Sequence, residues 1–128
     1  MKRLALALVL LLVGLAAHGQ TVYHANAVVV AWDAPTTLAD GSPIPAGEAA
    51  AYEVLLARDG QTATPAVVGE TTAVTAPVTL PQPGDWRIGV RAIRTLGGQR
   101  YLSAITWSAF VVRYVLPYSE PGPVRIVQ

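Results

Sequence analysis

Beyond residue 19 the chain offers few groups for covalent chemistry: one histidine, eight carboxylates, seven arginines and no cysteine. A nucleophilic triad needs a histidine base beside a serine or cysteine. His24 stands in a polar lead-in with no Gly-x-Ser-x-Gly motif anywhere, so it reads as a surface residue. Paired carboxylates can act on glycosides as acid and base. Asp33, Asp40, Glu53 and Asp85 have the right type, but turn and surface roles explain each, and Asp40 and Asp59 precede glycines as turn formers do. Asp33 and Asp40 also have the type for a loop calcium, yet no Asp-x-Asp-x-Asp or His-x-x-x-His spacing supports a metal. The sequence therefore assigns no catalytic residue, no metal ligand and no cofactor, and it predicts a protein that is not an enzyme.

Recognition chemistry is better represented. Arg87 and Arg91 lie four residues apart, on either side of Gly89, on what reads as the outer face of a strand, and Arg113 is placed to join them from a neighbouring strand. Such a stripe either binds an anionic partner or is a solvated face paired with Glu53, each exposed pair contributing little; the second reading is preferred. Tyr101, Trp107 and Tyr118 fall near turns or strand ends, where exposed aromatics anchor protein interfaces or stack on sugar rings. Trp107 is read as packing over the last strand, whereas Tyr101 and Tyr118 divide evenly between the two roles.

The element that positions most of these residues is the stretch from Leu80 to Ile93. A Pro/Gly-rich turn ends at Asp85; Trp86, Ile88, Val90 and Ala92 then fall at every second position, with Arg87, Gly89 and Arg91 between them. That period of two marks a strand with one dry and one wet face. Other stretches supply partners. Val28, Val30 and Trp32 share a face in a run ended by Asp33-Ala34-Pro35. Tyr52, Val54 and Leu56 do so in Ala50–Arg58, which Asp59-Gly60 reverses. Ala66–Val68 reads as a short edge strand. In Thr72–Leu80 the expected inward set is Val74, Ala76, Val78 and Leu80, with Pro77 confining the strand to a sheet edge. In Leu102–Val115, placing Arg113 in water turns Phe110, Val112 and Tyr114 inward and leaves Val111 and Val115 as apolar surface. Val29 and Leu55 are likewise expected to face outward. Thr36–Ala49 and Leu96–Gln99 read as loop and turn, and no stretch beyond the leader keeps a helical period. Six or seven short strands with regular turn signals predict an all-β sandwich.

Residues 1–19 have another character. Lys2 and Arg3 precede an unbroken apolar run of 14 residues, Leu4–Ala17, and then Ala17-His18-Gly19. This is the pattern of a secretory signal peptide, cleaved before Gln20 or Thr21. As a helix the run would rise about 21 Å, short of a hydrocarbon core of roughly 30 Å, so no stable membrane insertion is expected after cleavage. Seven arginines against eight carboxylates leave residues 20–128 with a net charge of −1, which gives no reason to expect a nucleic-acid partner. Without cysteine, the exported domain relies on its core rather than disulfides.

Taken in order, Trp32 with its Asp-Ala-Pro end, Tyr52 followed by Val54, Leu80 followed six residues later by Trp86 and then Ile88, Val90 and Ala92, and Ser103 with Trp107-Ser108 resemble the pattern of a fibronectin type III domain. The resemblance spans about residues 25–115. It implies an immunoglobulin-like, two-sheet antiparallel β-sandwich of about seven strands, with Trp32, Tyr52, Leu80, Trp86 and Val90 in the core. Two departures stand out. Trp86 replaces the tyrosine whose hydroxyl bonds back to nearby backbone. The usual first strand is not evident before Ala27, so either it is short or the C-terminal tail covers that edge. The expected organisation is a signal peptide at 1–19, a sandwich at 20–116, and a tail or short extra strand at 117–128. The expected role is binding or assembly outside the cytoplasm (periplasmic, cell-surface or secreted), with another protein as partner or, alternatively, a polysaccharide.

Overall fold

The computed structural model describes the pairing of Val9–Leu10 and residues 21–128. The leader reading therefore lies outside the described residues, apart from the backbone of Val9 and Leu10. Among the described residues ten strands form two sheets: β1 (Val9–Leu10), β2 (Val22–His24), β3 (Ala27–Ala31), β4 (Ala51–Arg58), β5 (Ala66–Thr71), β6 (Thr75–Thr79), β7 (Gly84–Leu96), β8 (Gln99–Leu102), β9 (Thr106–Trp107) and β10 (Val111–Tyr114). One sheet has the order β1-β3-β6. The other runs β2-β10-β7-β4-β5, with β8 and β9 also paired to β7. The segments β8, β9 and β10 are one interrupted course along β7, so β2 to β10 amount to the seven strands expected of the sandwich. The pairing is antiparallel except between β2 and β10, which run side by side in the same direction.

That parallel pair follows from the short lead-in. β2 descends beside β10, the chain turns through Ala25 and Asn26, and β3 ascends in the opposite sheet. The first strand is thus short and belongs to the sheet opposite β3. The tail does not replace it: residues 115–128 form no strand and lie exposed. The outer edge of β3 pairs with β1, Leu10 opposite Val30 and Val9 opposite Ala31.

The core lies where the two inner faces meet. Trp32, Tyr52, Leu80, Trp86 and Val90 are all buried in one cluster with Val30, Val54, Ile88 and Val112. Edge-to-face pairs join Trp32 to Tyr52 at 5.4 Å and Tyr23 to Phe110 at 5.5 Å, each contributing about 0.5–1.5 kcal/mol beyond its buried area. β6 stands at a sheet edge with Pro77 at its centre, and Val78 and Leu80 are buried, but Val74 precedes the strand and is exposed.

Two residues expected at the surface are buried. Leu55 and Val111 point away from the core cluster, yet each is under 4% exposed. Leu55 stands directly across from Gly89, and Ile105 and Trp107 lie over that glycine. Val111 opens β10 beside Val22 of β2, one residue before the Val112–Trp86 pair. The outer face of this sheet therefore carries a second, smaller apolar layer. Val29 and Val115 are exposed as expected.

Serines patch the interrupted last course. At each break a serine donates its backbone N–H to β7 and accepts a β7 N–H with its hydroxyl. Ser103 does this with Ala92 at 2.9 Å for both bonds, and Ser108 with Ile88 at 2.8 and 3.2 Å. No donor of β7 is left open at these breaks.

Trp86 is anchored through its ring nitrogen. Its indole N–H donates to the Gln82 carbonyl at 3.0 Å, tying the strand to its own preceding turn. Arg58 lies over the ring at 4.5 Å.

Candidate binding surfaces

The arginine stripe exists as a face but is fully engaged. Asp85, Arg87 and Arg91 share the outer phase of β7, and Arg113 falls opposite Asp85 on β10. Arg87 pairs with Asp59 at 2.8 Å and also donates to the Ser108 carbonyl at 2.9 Å. Arg91 pairs with Glu53 at 2.7 Å, and Arg100 reaches both Glu53 and Glu70. Arg113 grips Asp85 with two bonds of 2.7 and 3.0 Å. That grip holds the Asp85 carboxyl below the usual carboxylate range and raises the arginine. A guanidinium already paired with a carboxylate offers little to a second anion.

The stripe is also interrupted. Trp107 and Ile105 cover Gly89 between Arg87 and Arg91; a Cβ on Gly89 would fall 2.7 Å from Ile105 Cγ2 and 2.9 Å from the Trp107 ring. Trp107 is half-buried in this layer rather than free to stack on a sugar. The three aromatics are not brought together: Tyr118 is fully exposed in the tail, and Tyr101 is 54% exposed on β8.

Tyr101 does border a feature that sequence reasoning missed. A cavity of about 320 Å³ opens between the 35–50 loop and the β7–β8 hairpin, walled mainly by Leu38, Ile44, Ile93, Leu96 and Leu102. Thr37, whose buried hydroxyl has no hydrogen-bond partner among the described residues, also stands in its wall. Glu48 and Arg94 face each other there in a two-bond ion pair of 2.8 and 3.0 Å, which pushes the Glu48 carboxyl down. One signal was available. Arg94 falls on the inward phase of β7, in line with Trp86 to Ala92, and an inward arginine demands an acidic partner. The hairpin at its end closes through Gly97 and Gly98, both at positive φ (56° and 82°), the conformation a two-residue turn of this hand requires.

The tail is the other unassigned surface. Val115, Leu116, Tyr118, Val124, Ile126 and Val127 are 62–100% exposed, an apolar run with no cover of its own. Among the described residues, no group of three or more His, Asp or Glu side chains could hold a metal ion.

No family model matches the chain, and no curated protein matches it. Among solved structures it is similar to the solution structure of a fibronectin type III domain derived from human KIAA0970 protein. The identity is 18%, the TM-score 0.47, and the match covers 89% of this chain and 81% of that one.

Proposed function

We propose that the chain is an exported, non-catalytic module that assembles with protein outside the cytoplasm. The observation that carries this reading is the tail: six large apolar side chains between Val115 and Val127, held out in water by a sandwich whose own core is closed. Large apolar side chains concentrated in one exposed segment point to an interaction site. The leader pattern at residues 1–19 directs the product out of the cytoplasm. The engaged arginines argue against an anionic partner. The reading is tested by fractionating cells that make the protein and cross-linking the tail. The expected result is an extracytoplasmic product starting at Gln20 or Thr21, joined to protein through residues 115–128. A cytoplasmic product, or one whose tail cross-links to nothing, overturns it.

A second reading has one observation of its own. Tyr101 stands exposed beside an apolar cavity of sugar-ring scale, which suits a carbohydrate-binding accessory. Titration with wall and storage polysaccharides tests it: binding lost in Tyr101→Ala supports the reading, and no heat or fluorescence change with any of them removes it.

A further inference from the structure

The sandwich has four outer edges, and three are protected against strand addition. β2 is three residues long. β5 carries a bulge where its pairing to β4 shifts register, together with the charged Glu70. β6 carries Pro77 at its centre, and the direction of that protection can be read from the ladder. The Trp32 N–H donates to the Val74 carbonyl, so alternation points the even-numbered backbone groups of β3 and β6 at each other and the odd-numbered ones outward. Pro77 therefore interrupts the free edge of β6, not its bond to β3. On β3 the same alternation turns the N–H groups of Ala27, Val29 and Ala31 outward. This strand, Ala-Val-Val-Val-Ala, has no proline, no charge and no bulge, and Val29 is 49% exposed. It is built as an acceptor. Among the described residues the strand on this edge is β1, which covers Val30 and Ala31 and lies within the leader.

We propose that, once the leader is gone, the edge of β3 takes up the Val124–Val127 segment of a second copy as an added antiparallel strand. The inference rests on the export reading and names the partner of the tail. The seated residues of β1 are aliphatic, and Val124-Arg-Ile-Val127 is the aliphatic run the sandwich leaves unplaced. Val124 and Ile126, two apart, would extend the row of Val28 and Val30, with Arg125 turned to water. The nine residues from Val115 to Pro123 span up to about 30 Å, enough to leave one sandwich and reach the next. The molecule's own tail is poorly placed for this seat. β10 ends beside the start of β3, where the Ala25 N–H meets the Arg113 carbonyl at 2.9 Å, so an antiparallel seat would require it to run the length of β3 and turn back. With Ala27 to Val29 uncovered by β1, the tail still stays in solvent. An acceptor at one place and a donor at another make a head-to-tail contact, which closes into rings or extends into filaments.

The test uses the chain from Gln20, which keeps every core residue, and two variants. Val29→Pro removes an outward N–H without touching the β3–β6 ladder; Ile126→Asp puts a charge on the donor. Sedimentation is expected to show concentration-dependent oligomers for the parent chain and a single-chain mass for each variant. Mixing the variants pairs the intact tail of one with the intact edge of the other, and a two-chain mass is expected. A parent chain that stays monomeric, whether its tail folds back or awaits a foreign partner, overturns the proposal. So do oligomers that survive either variant, and a mixture that fails to pair. The export reading has a separate readout, the N-terminal mass and cell fraction of the chain expressed with its own leader. Retention of residues 1–19 there counts against export without touching the association result.

Discussion

The Trp107 ring lies on Gly89, so close that a Cβ added there would fall 2.9 Å from two ring carbons. The contact seals the outer apolar layer that keeps Leu55 dry. Gly89→Ala cannot be absorbed by a flexible side-chain end, because its neighbours are an indole ring and the γ-methyl of Ile105. Overpacking of this kind costs about 1–3 kcal/mol. Urea denaturation is expected to show that loss with an unchanged slope; an unaltered midpoint would mean that Trp107 does not rest on Gly89.

Ser108 makes a sharper case. It is 2% exposed, and its hydroxyl is the acceptor for the N–H of the fully buried Ile88. Ser108→Ala leaves that N–H without a partner, at a cost of about 1–3 kcal/mol. Ser103→Ala makes the same deletion at Ala92, in a less buried place, and is expected to cost less. Denaturation of both variants checks the order; equal costs would show that burial does not set the penalty here.

Acid should weaken the fold in a defined window. Asp40, Glu48 and Asp85 all titrate below their ordinary values of 3.8, 4.5 and 3.8: Asp40 because Ser42 bonds it, the others because of Arg94 and Arg113. A carboxyl with a lowered folded pKa binds fewer protons than in the unfolded chain. Its contribution is complete above the unfolded value and is lost as pH falls through the folded one. The melting temperature is expected to hold on acidification to about pH 5 and to drop below it. Asp85→Asn should remove part of that drop. A variant with an unchanged acid profile would contradict the Arg113 pairing as its cause.

Salt separates the two recognition surfaces. If the Arg87–Arg91 face carried assembly, raised ionic strength would loosen it, since exposed charges are screened within about 10 Å at 0.1 M. The β3 edge and the tail are aliphatic, so oligomers are expected to persist in molar salt and to survive Arg91→Ala. Salt-induced dissociation would return the assembly to the arginines.

How much of this was legible depends on how far each feature depends on chain neighbours. The alternation of Trp86, Ile88, Val90 and Ala92 is local, and it placed the central strand and its dry face. Pro77 and Asp59-Gly60 are local too, and they placed an edge and a reversal. The burial of Leu55 and Val111 was not legible, because period two says which face a residue takes and not whether a distant residue such as Trp107 will cover that face. In the last course Arg113 set the phase that turns Phe110, Val112 and Tyr114 to the core, but the breaks at Ser103 and Ser108, where hydroxyls substitute for ladder acceptors, carry no local signal. Trp107 sits on Gly89 because of a pairing that spans 18 residues of chain, and Tyr101 borders a cavity only because the 35–50 loop closes beside it. The open edge of β3 was suspected from a missing strand. Its outward donors became assignable only from the Trp32–Val74 bond.

Those donors give the most direct measurement: residue-resolved amide exchange on the chain from Gln20, at a concentration where the parent associates, beside Ile126→Asp. Val28 and Val30 bond β6 and should be protected in both. Ala27, Val29 and Ala31 should be protected in the parent and exchange roughly tenfold or more faster in the variant, because their protection comes from the added strand. Equal exchange of these three amides in both proteins would contradict strand addition at β3.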